Sequence, residues 1–228
     1  MRSQTDKETK MDKILRIDVG AAGGPKAVVT ALGEYAGMGG RGMTSMIVST
    51  EVPADCHPLG PENKLVIAPG MLSGSAASTS GRISVGCKSP LTGGIKEANS
   101  GGQAGQVLAR LGYAAIVLEG AAPKDALYKV FINAEGVKIS DASAFKGLKN
   151  YDLAEKIKAE HGAKVAMMSI GPAGEMKMGA ASIAVTDREF RPARHAGRGG
   201  VGAVMGAKGI KVIVIDDDGM KMRKPKNP

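Results

Sequence analysis

Arg194-His195-Ala196-Gly197-Arg198-Gly199-Gly200-Val201-Gly202-Ala203-Val204-Met205-Gly206 sets two arginines, a histidine and a run of glycines directly before a short apolar helix and a strand, Ile210 to Ile215. Glycine has no Cβ, so the backbone can take positive φ and approach a ligand closely. A helix start offers unpaired N–H groups and the positive end of a dipole. Arginine beside such a start points to an oxyanion, above all a phosphate.

The stretch has a counterpart earlier in the chain. Asn99-Ser100-Gly101-Gly102-Gln103-Ala104-Gly105 is followed by Val107, Leu108 and Leu111, then by a strand from Ala114 to Leu118. Aligning Gly105 with Gly202 brings Gly112 onto Gly209 and Ile116 onto Ile213, and sets Asn99 to Gly102 beside Ala196 to Gly199. The preceding segments correspond too: Lys64 to Gly70 (KLVIAPG) and Lys164 to Gly171 (KVAMMSIG) are strand-like and end at glycine. The chain therefore reads as two half-domains, each closing with a Gly-rich loop, a helix and a strand. Pseudo-symmetry of this kind would bring two anion sites together, for a ligand with two phosphates or for two ligands.

With 228 residues the chain suffices for one large domain or two small ones. About 70% of the unfolded surface can be buried at this size, so no staple is required. Aromatics are 3% and Trp is absent, which leaves packing to Val, Ile, Leu, Ala and 13 Met. The net charge of +9 favours an anionic partner. Nucleic acid is disfavoured because few aromatics are available for base stacking. Cys56 and Cys87 form no CxxC pair and no disulfide framework, so a reducing cytoplasm is expected. The first residues are polar, without the apolar stretch of a signal peptide. No apolar run approaches the roughly 20 residues of a membrane span.

Residues 1–12 read as a polar tail and 219–228 as a charged, proline-bearing linker; 13–218 form the domain. Lys13 to Val19 and Lys26 to Thr30 read as a hairpin, and Ala126 to Asn133 with Val137 to Ser140 as a second. Gly37 to Gly42 opens a helix over Met43 to Ser49. A further helix runs from Asp152, as N-cap, to His161, ended by Gly162. Ala180 to Val185 reads as a strand, and Gly171 to Glu175 as a tight loop. Cys56-His57 could suggest metal ligands, but two more at regular spacing are wanting. His161 reads as a surface residue and Glu175 as a solvated loop acid.

Gly197-Arg198-Gly199-Gly200-Val201-Gly202 matches GxGxxG, and Asp216 lies near the distance of a ribose-binding acid. The context is wrong for a dinucleotide fold, since the polar segment Asp187 to Arg194, not a strand, precedes it. No Walker motif is present, because Lys208 is not followed by Ser or Thr. No Ser/His/Asp set and no working carboxylate pair can be assembled, so no catalytic residue is assigned.

Several motifs in one order resemble the N-terminal domain of the tungsten-dependent aldehyde:ferredoxin oxidoreductase family. They are Gly39-Gly40-Arg41-Gly42, Pro61-Glu62-Asn63-Lys64-Leu65, Gly81-Arg82, Lys88-Ser89-Pro90-Leu91-Thr92-Gly93, Ala98-Asn99-Ser100-Gly101-Gly102, Gly112-Tyr113 with Ile116-Val117, Ser169-Ile170-Gly171-Pro172-Ala173-Gly174-Glu175, and Ala196 to Gly206. The resemblance implies an α+β fold of mixed β-sheets with short helices, in two pseudo-symmetric halves. It implies a base for a bis-pyranopterin (molybdopterin) cofactor carrying tungsten or molybdenum, its two phosphates joined by Mg²⁺. Backbone carbonyls at positions matching Asn99 and His195 would complete the Mg²⁺ shell, which prefers octahedral oxygen ligands at about 2.0–2.1 Å. Arg82 and Arg194 match phosphate- or pterin-contacting arginines. Ser100, Gly101, Gly102, Ala196, Gly197, Arg198 and Gly199 fill out the implied cradle. Where similar sequences carry a small residue after the arginine, this chain has His195, which leaves a carbonyl ligand intact but brings a new side chain.

Such enzymes hold a [4Fe–4S] cluster and the substrate pocket in later domains, and this chain lacks the cysteines for it. The expectation is the cofactor platform of an enzyme that oxidises aldehydes to acids. The remaining domains or a partner subunit, and a ferredoxin-type electron carrier, would complete it; a homodimer is a further partner expectation. The chain alone is expected to be inactive. The alternatives are a non-catalytic module for a phosphate ligand or nucleic acid, and a dinucleotide-binding domain.

Overall fold

In the computed structural model, residues 10–224 are described. The tail expected over 1–12 and the end of the linker expected over 219–228 lie largely outside them. The first half opens with the antiparallel hairpin β1 (Lys13–Asp18) and β2 (Lys26–Ala31). A single tight turn at Gly33–Tyr35 leads into α1 (Gly40–Glu51). Then come β3 (Leu65–Pro69), β4 (Ile83–Lys88), β5 (Ile95–Ser100), α2 (Ala104–Arg110) and β6 (Tyr113–Glu119).

The second half repeats the series. The hairpin β7 (Tyr128–Asn133) and β8 (Gly136–Asp141) leads through a turn at Ser143–Phe145 to α3 (Asn150–His161). After β9 (Ala166–Ser169), the one addition is a helical turn, α4 (Pro172–Glu175). It is followed by β10 (Ile183–Val185), β11 (Arg194–Ala196), α5 (Val201–Ala207) and β12 (Ile210–Ile215).

Each half makes one six-stranded mixed sheet, ordered β2-β1-β6-β3-β4-β5 and β8-β7-β12-β9-β10-β11. Only β1/β6 and β7/β12 pair in parallel. The two orders are identical strand for strand. Ile116 lies between Leu15 and Ile67, and Ile213 between Val130 and Met168. The alignment read from the sequence thus holds in register. Gly112 (φ 85°) and Gly209 (φ 64°) each make the left-handed turn into the last strand.

Burial explains the stacking. The runs LVIAP and ISVGCK of β3 and β4 are buried throughout, as expected for strands covered on both faces. Residues such as Leu15, Ile67, Val85 and Ile116 of the first sheet share one core with Val130, Met168, Ile183 and Ile213 of the second. Val107 and Leu108 of α2 and Val204 and Met205 of α5 belong to that core, so both short helices lie between the sheets. The outer faces are covered by α1 through Met43, Ile47 and Val48, and by α3 through Leu153 and Ile157.

Several boundaries differ from expectation. Ile95–Ser100 is a strand where the sequence reads as turn and Gly-rich loop. Its pairing with β4 overrides a composition poor in β-formers. Arg194–Ala196 is also a strand rather than loop, and the strand expected from Ala180 starts only at Ile183. Lys149, not Asp152, caps α3; Asp152 sits in its first turn, facing the helix dipole, and Gly162 ends the helix as expected. Residues Gly219 to Lys224 do not run free. Arg223 donates its backbone N–H to Gly74 and its guanidinium to the carbonyls of Met71 and Ser73.

Candidate functional site

The strands β5 and β11 are the edges of their sheets and lie side by side. Asn99 pairs with Ser84, one residue into β4, and His195 with Ala184, one residue into β10. The two residues hold the same register position in the two halves. This moves the sequence alignment by one residue, which had set Asn99 beside Ala196. Even the side-chain contacts correspond. Arg82, directly before β4, donates Nε to the Asn99 Oδ1 at 2.5 Å, and Ser182, directly before β10, bonds the His195 Nδ1 at 2.9 Å.

Two cavities border this seam. One, of about 530 Å³, brings together Arg82, Gly101, Gly102 and Arg194, with Asp187 and Arg188 on its wall. The other, of about 680 Å³, is lined by Arg41, Lys96, Asn99, His195, Gly197 and Arg198. Of the residues expected at the site, Ser100, Ala196 and Gly199 are buried in the wall behind.

Each Gly-rich loop is anchored by the opposite half. Gly102, at φ 105°, brings its Cα against the Thr186 carbonyl, where a Cβ would sit only 2.6 Å from the oxygen. The Gln103 N–H donates to the same carbonyl at 2.9 Å. In return, Ser89 donates its hydroxyl to the Gly199 carbonyl at 2.9 Å, and the Lys96 stem lies across Gly199.

The helix starts do not serve as expected. Every residue of α5 is buried, and the Gly202 N–H donates to the Ala181 carbonyl. A Cβ on Gly202 would stand 2.5 Å from the Ser182 oxygen, and one on Gly105 would stand 2.6 Å from the Gly81 oxygen. These paired glycines exist to pack a helix on the chain entering β10 or β4. The two mixed sheets also exclude the doubly wound parallel sheet of a dinucleotide-binding domain.

Glu175 is not a solvated acid: its carboxylate accepts from the fully buried Lys211 ammonium and from the Gly147 N–H. His161 is half-buried, stacked on Phe131 with centroids 4.6 Å apart. Burial pushes the Cys56 thiol up, and the Cys87 thiol to about 12, so neither is a ready thiolate ligand. The His57 Nδ1 accepts from the Leu59 N–H. Among the described residues no cluster of three His, Cys, Asp or Glu could hold a metal.

Sequence reading missed Lys96 and Ser182, because strand β5 was not read and β10 was drawn too long. It also missed the turn from Asp187 to Arg191. There the Asp187 carboxylate accepts the N–H groups of Glu189 and Arg191 and the Arg191 guanidinium. Phe190, at φ 59°, is buried beneath it.

Comparison with known proteins matches residues 14–217 to the model of the aldehyde ferredoxin oxidoreductase N-terminal domain. The tungsten-containing aldehyde ferredoxin oxidoreductase of Pyrococcus furiosus is 46% identical over 180 residues, 78% of this chain and 29% of that protein. Its counterpart in Thermococcus kodakarensis is 43% identical over the same shares. The aliphatic sulfonate oxidoreductase WOR-like subunit of Pyrococcus furiosus is 30% identical over 79% of the chain and 30% of that subunit. Among solved structures, the active-site complex BamBC of benzoyl coenzyme A reductase superposes with a TM-score of 0.82 at 33% identity. That match covers 94% of this chain and 32% of the other. The chain thus spans less than a third of the length of the relatives it matches. It belongs to the aldehyde ferredoxin oxidoreductase family of oxidoreductases, matching the N-terminal domain of its tungsten-containing members.

Proposed function

We propose that this domain is the platform for a bis-pyranopterin tungsten or molybdenum cofactor, in an enzyme that oxidises aldehydes to acids. The observation that carries the reading is the seam: Asn99 and His195 stand at one register position on two adjacent edge strands. An edge strand leaves backbone carbonyls unpaired. The backbone carbonyls of Asn99 and His195 would supply oxygen ligands of the kind Mg²⁺ prefers. Arg82 and Arg194 line one cavity and supply the charge-assisted contacts that a phosphate requires. The net charge of +9 favours the same ligand.

The residues of this chain bind and orient. Arg82, whose Nε already donates to Asn99, and Arg194 from the second half would hold the phosphates of the cofactor. Gly101 and Gly197, each with room where a Cβ would stand, would let the ligand approach the backbone, and Arg198 would add a further cation. The bound metal–pterin centre supplies the two-electron redox chemistry. Iron–sulfur relay, substrate pocket and ferredoxin docking belong to the remainder of the enzyme, whether in further domains or a partner subunit.

The test is Arg82→Ala and Arg194→Ala in the full enzyme, measured by tungsten, molybdenum and phosphate content per chain. Each substitution removes one charge-assisted contact of about 1.5–3 kcal/mol, so both variants are expected to retain less cofactor. Unchanged metal and phosphate in both would end the reading. The 228-residue chain alone is expected to show no aldehyde oxidation with a viologen acceptor.

A further inference from the structure

The loop from β3 to β4 and the loop from β9 to β10 are counterparts. Gly70 stands three residues after Ile67, and Gly171 three after Met168, its partner in the repeat. The second loop carries its own support. There α4 follows Gly171, and its Glu175 is locked to the fully buried Lys211 of β12. The first loop has no such helix and runs to Gly81 in turns and bends.

Its support comes from outside the repeat. Arg223 lies beyond β12, in the segment that leads out of the second half. Its Nη1 donates to the carbonyls of Met71 at 2.9 Å and Ser73 at 2.7 Å, and its backbone N–H to the Gly74 carbonyl at 2.8 Å. Gly74, at φ 78°, is pressed between the end of α2 and the Arg223 stem. A Cβ there would stand 3.1 Å from the Arg110 nitrogen and 3.2 Å from the Arg223 Cδ.

The brace continues to the cavity wall. Gln106 of α2 spans the loop: Oε1 accepts the Gly74 N–H at 2.5 Å, and Nε2 donates to the Ser80 hydroxyl at 3.2 Å. The Ser73 hydroxyl donates to the Ser80 carbonyl at 2.6 Å, and the Gly70 N–H to the Arg82 carbonyl at 3.2 Å. Thr79, Gly81, Arg82 and Gln106 line the cavity of about 530 Å³, while Arg223 stays behind that wall. The carbonyls gathered by Arg223 and the arginine in the cavity thus belong to one hydrogen-bonded loop.

We propose that Arg223 is a positioning residue for Arg82: by gathering the carbonyls of Met71, Ser73 and Gly74 it fixes the loop that carries Arg82, and so ties the cavity wall to the segment leaving β12. What Arg82 holds rests on the platform reading above; the grip of Arg223 on its loop does not.

Native-state hydrogen exchange and ¹⁵N spectra of the 228-residue chain test this grip without cofactor. In Arg223→Ala the amides of Gly70 and Gly74 are expected to exchange at least about tenfold faster, the loss of a charge-assisted hydrogen bond or more. The Arg82 Nε–H, held by the Asn99 Oδ1, is expected to exchange faster as well. Amides of β6 and β12 should keep their protection. Arg223→Lys keeps a cation with several donors and should recover part of the loop's protection. Three results would overturn the proposal: loop amides unchanged in Arg223→Ala, loop amides that loosen only in step with β6 and β12, or an unchanged Arg82 Nε–H. In the full enzyme, Arg223→Ala is expected to hold less tungsten or molybdenum per chain. Metal content equal to wild type there, where Arg82→Ala loses it, would also overturn the positioning role. No loss in Arg82→Ala and Arg194→Ala would instead end the platform reading, and the exchange data would still decide whether Arg223 holds the loop.

Discussion

Lys208 is fully buried, yet its ammonium is not bare: Nζ donates to the carbonyls of Gly120 at 2.6 Å, Gly60 at 3.1 Å and Pro61 at 3.2 Å. By the repeat alignment it stands where the first half has Leu111. Burial pushes its pKa down from 10.5 to about 8. The folded value lies below the unfolded one, so between these two pH values the unfolded chain binds more protons. Stability from this group therefore rises with pH from about 8 to 10.5, as the cost of burying the charge is relieved. Lys208→Met leaves three carbonyls without a donor and is expected to lose roughly 1–3 kcal/mol. Urea melts across the pH range check both points. The wild-type advantage over the variant should grow with pH inside that window and stay level below it; a level difference throughout would contradict the burial argument.

The C-terminal turn of α1 is fastened by one carboxylate to β1, to the turn at Gly33–Tyr35 and to the entry of β3. Glu51 accepts Nη2 of Arg16 in β1 at 2.6 Å, Nζ of Lys64 just before β3 at 2.6 Å, and the Tyr35 hydroxyl at 2.9 Å. Lys64 also reaches Glu119, at the end of β6. Burial alone would raise the Glu51 pKa, but the hydrogen bonds from Arg16, Lys64 and Tyr35 outweigh it and hold the value at about 2, against an ordinary 4.5. The folded value is depressed, so this stability is present above pH 4.5 and is lost as pH falls toward 2. Glu51→Gln is expected to be less stable than wild type at neutral pH, and the gap should close across that window in thermal melts. None of this network was legible, because its members lie far apart in sequence and carry no motif. What was legible in the sequence was what repeats: Gly112 and Gly209, Ile116 and Ile213, and the strand runs ending at Gly70 and Gly171. Strands β5 and β11 were hidden, since an edge strand of polar and small residues shows no alternation. The site was therefore read as two loops, and the anion-binding role went to helix starts that the fold uses for packing.

At the scale of the molecule, the two halves are one folding unit and not two domains joined by a linker. Their sheets face each other across a shared core that also encloses α2 and α5. The seam is stitched in both directions, by Gly102 and Gln103 on Thr186 and by Ser89 on Gly199. The Lys208 ammonium, carried by the second half, caps carbonyls at Gly60, Pro61 and Gly120 of the first. If either half opened alone it would expose the inner face of the other, losing apolar burial at roughly 25 cal/mol per Å². Local opening confined to one half is thereby disfavoured. Native-state hydrogen exchange reads this directly. Amides of the central strands β6 and β12 are expected to share one opening free energy, within about 1 kcal/mol, as groups in one cooperative unit do. Gly102→Ala sharpens the test. Its Cβ would meet the Thr186 oxygen at 2.6 Å from a backbone at φ 105°, a strain of roughly 1–3 kcal/mol placed on the seam itself. The substitution is expected to lower protection in β6 and β12 by equal amounts. Loss in β6 alone would mean that the halves unfold separately, and that a seam between them could not hold a ligand rigidly.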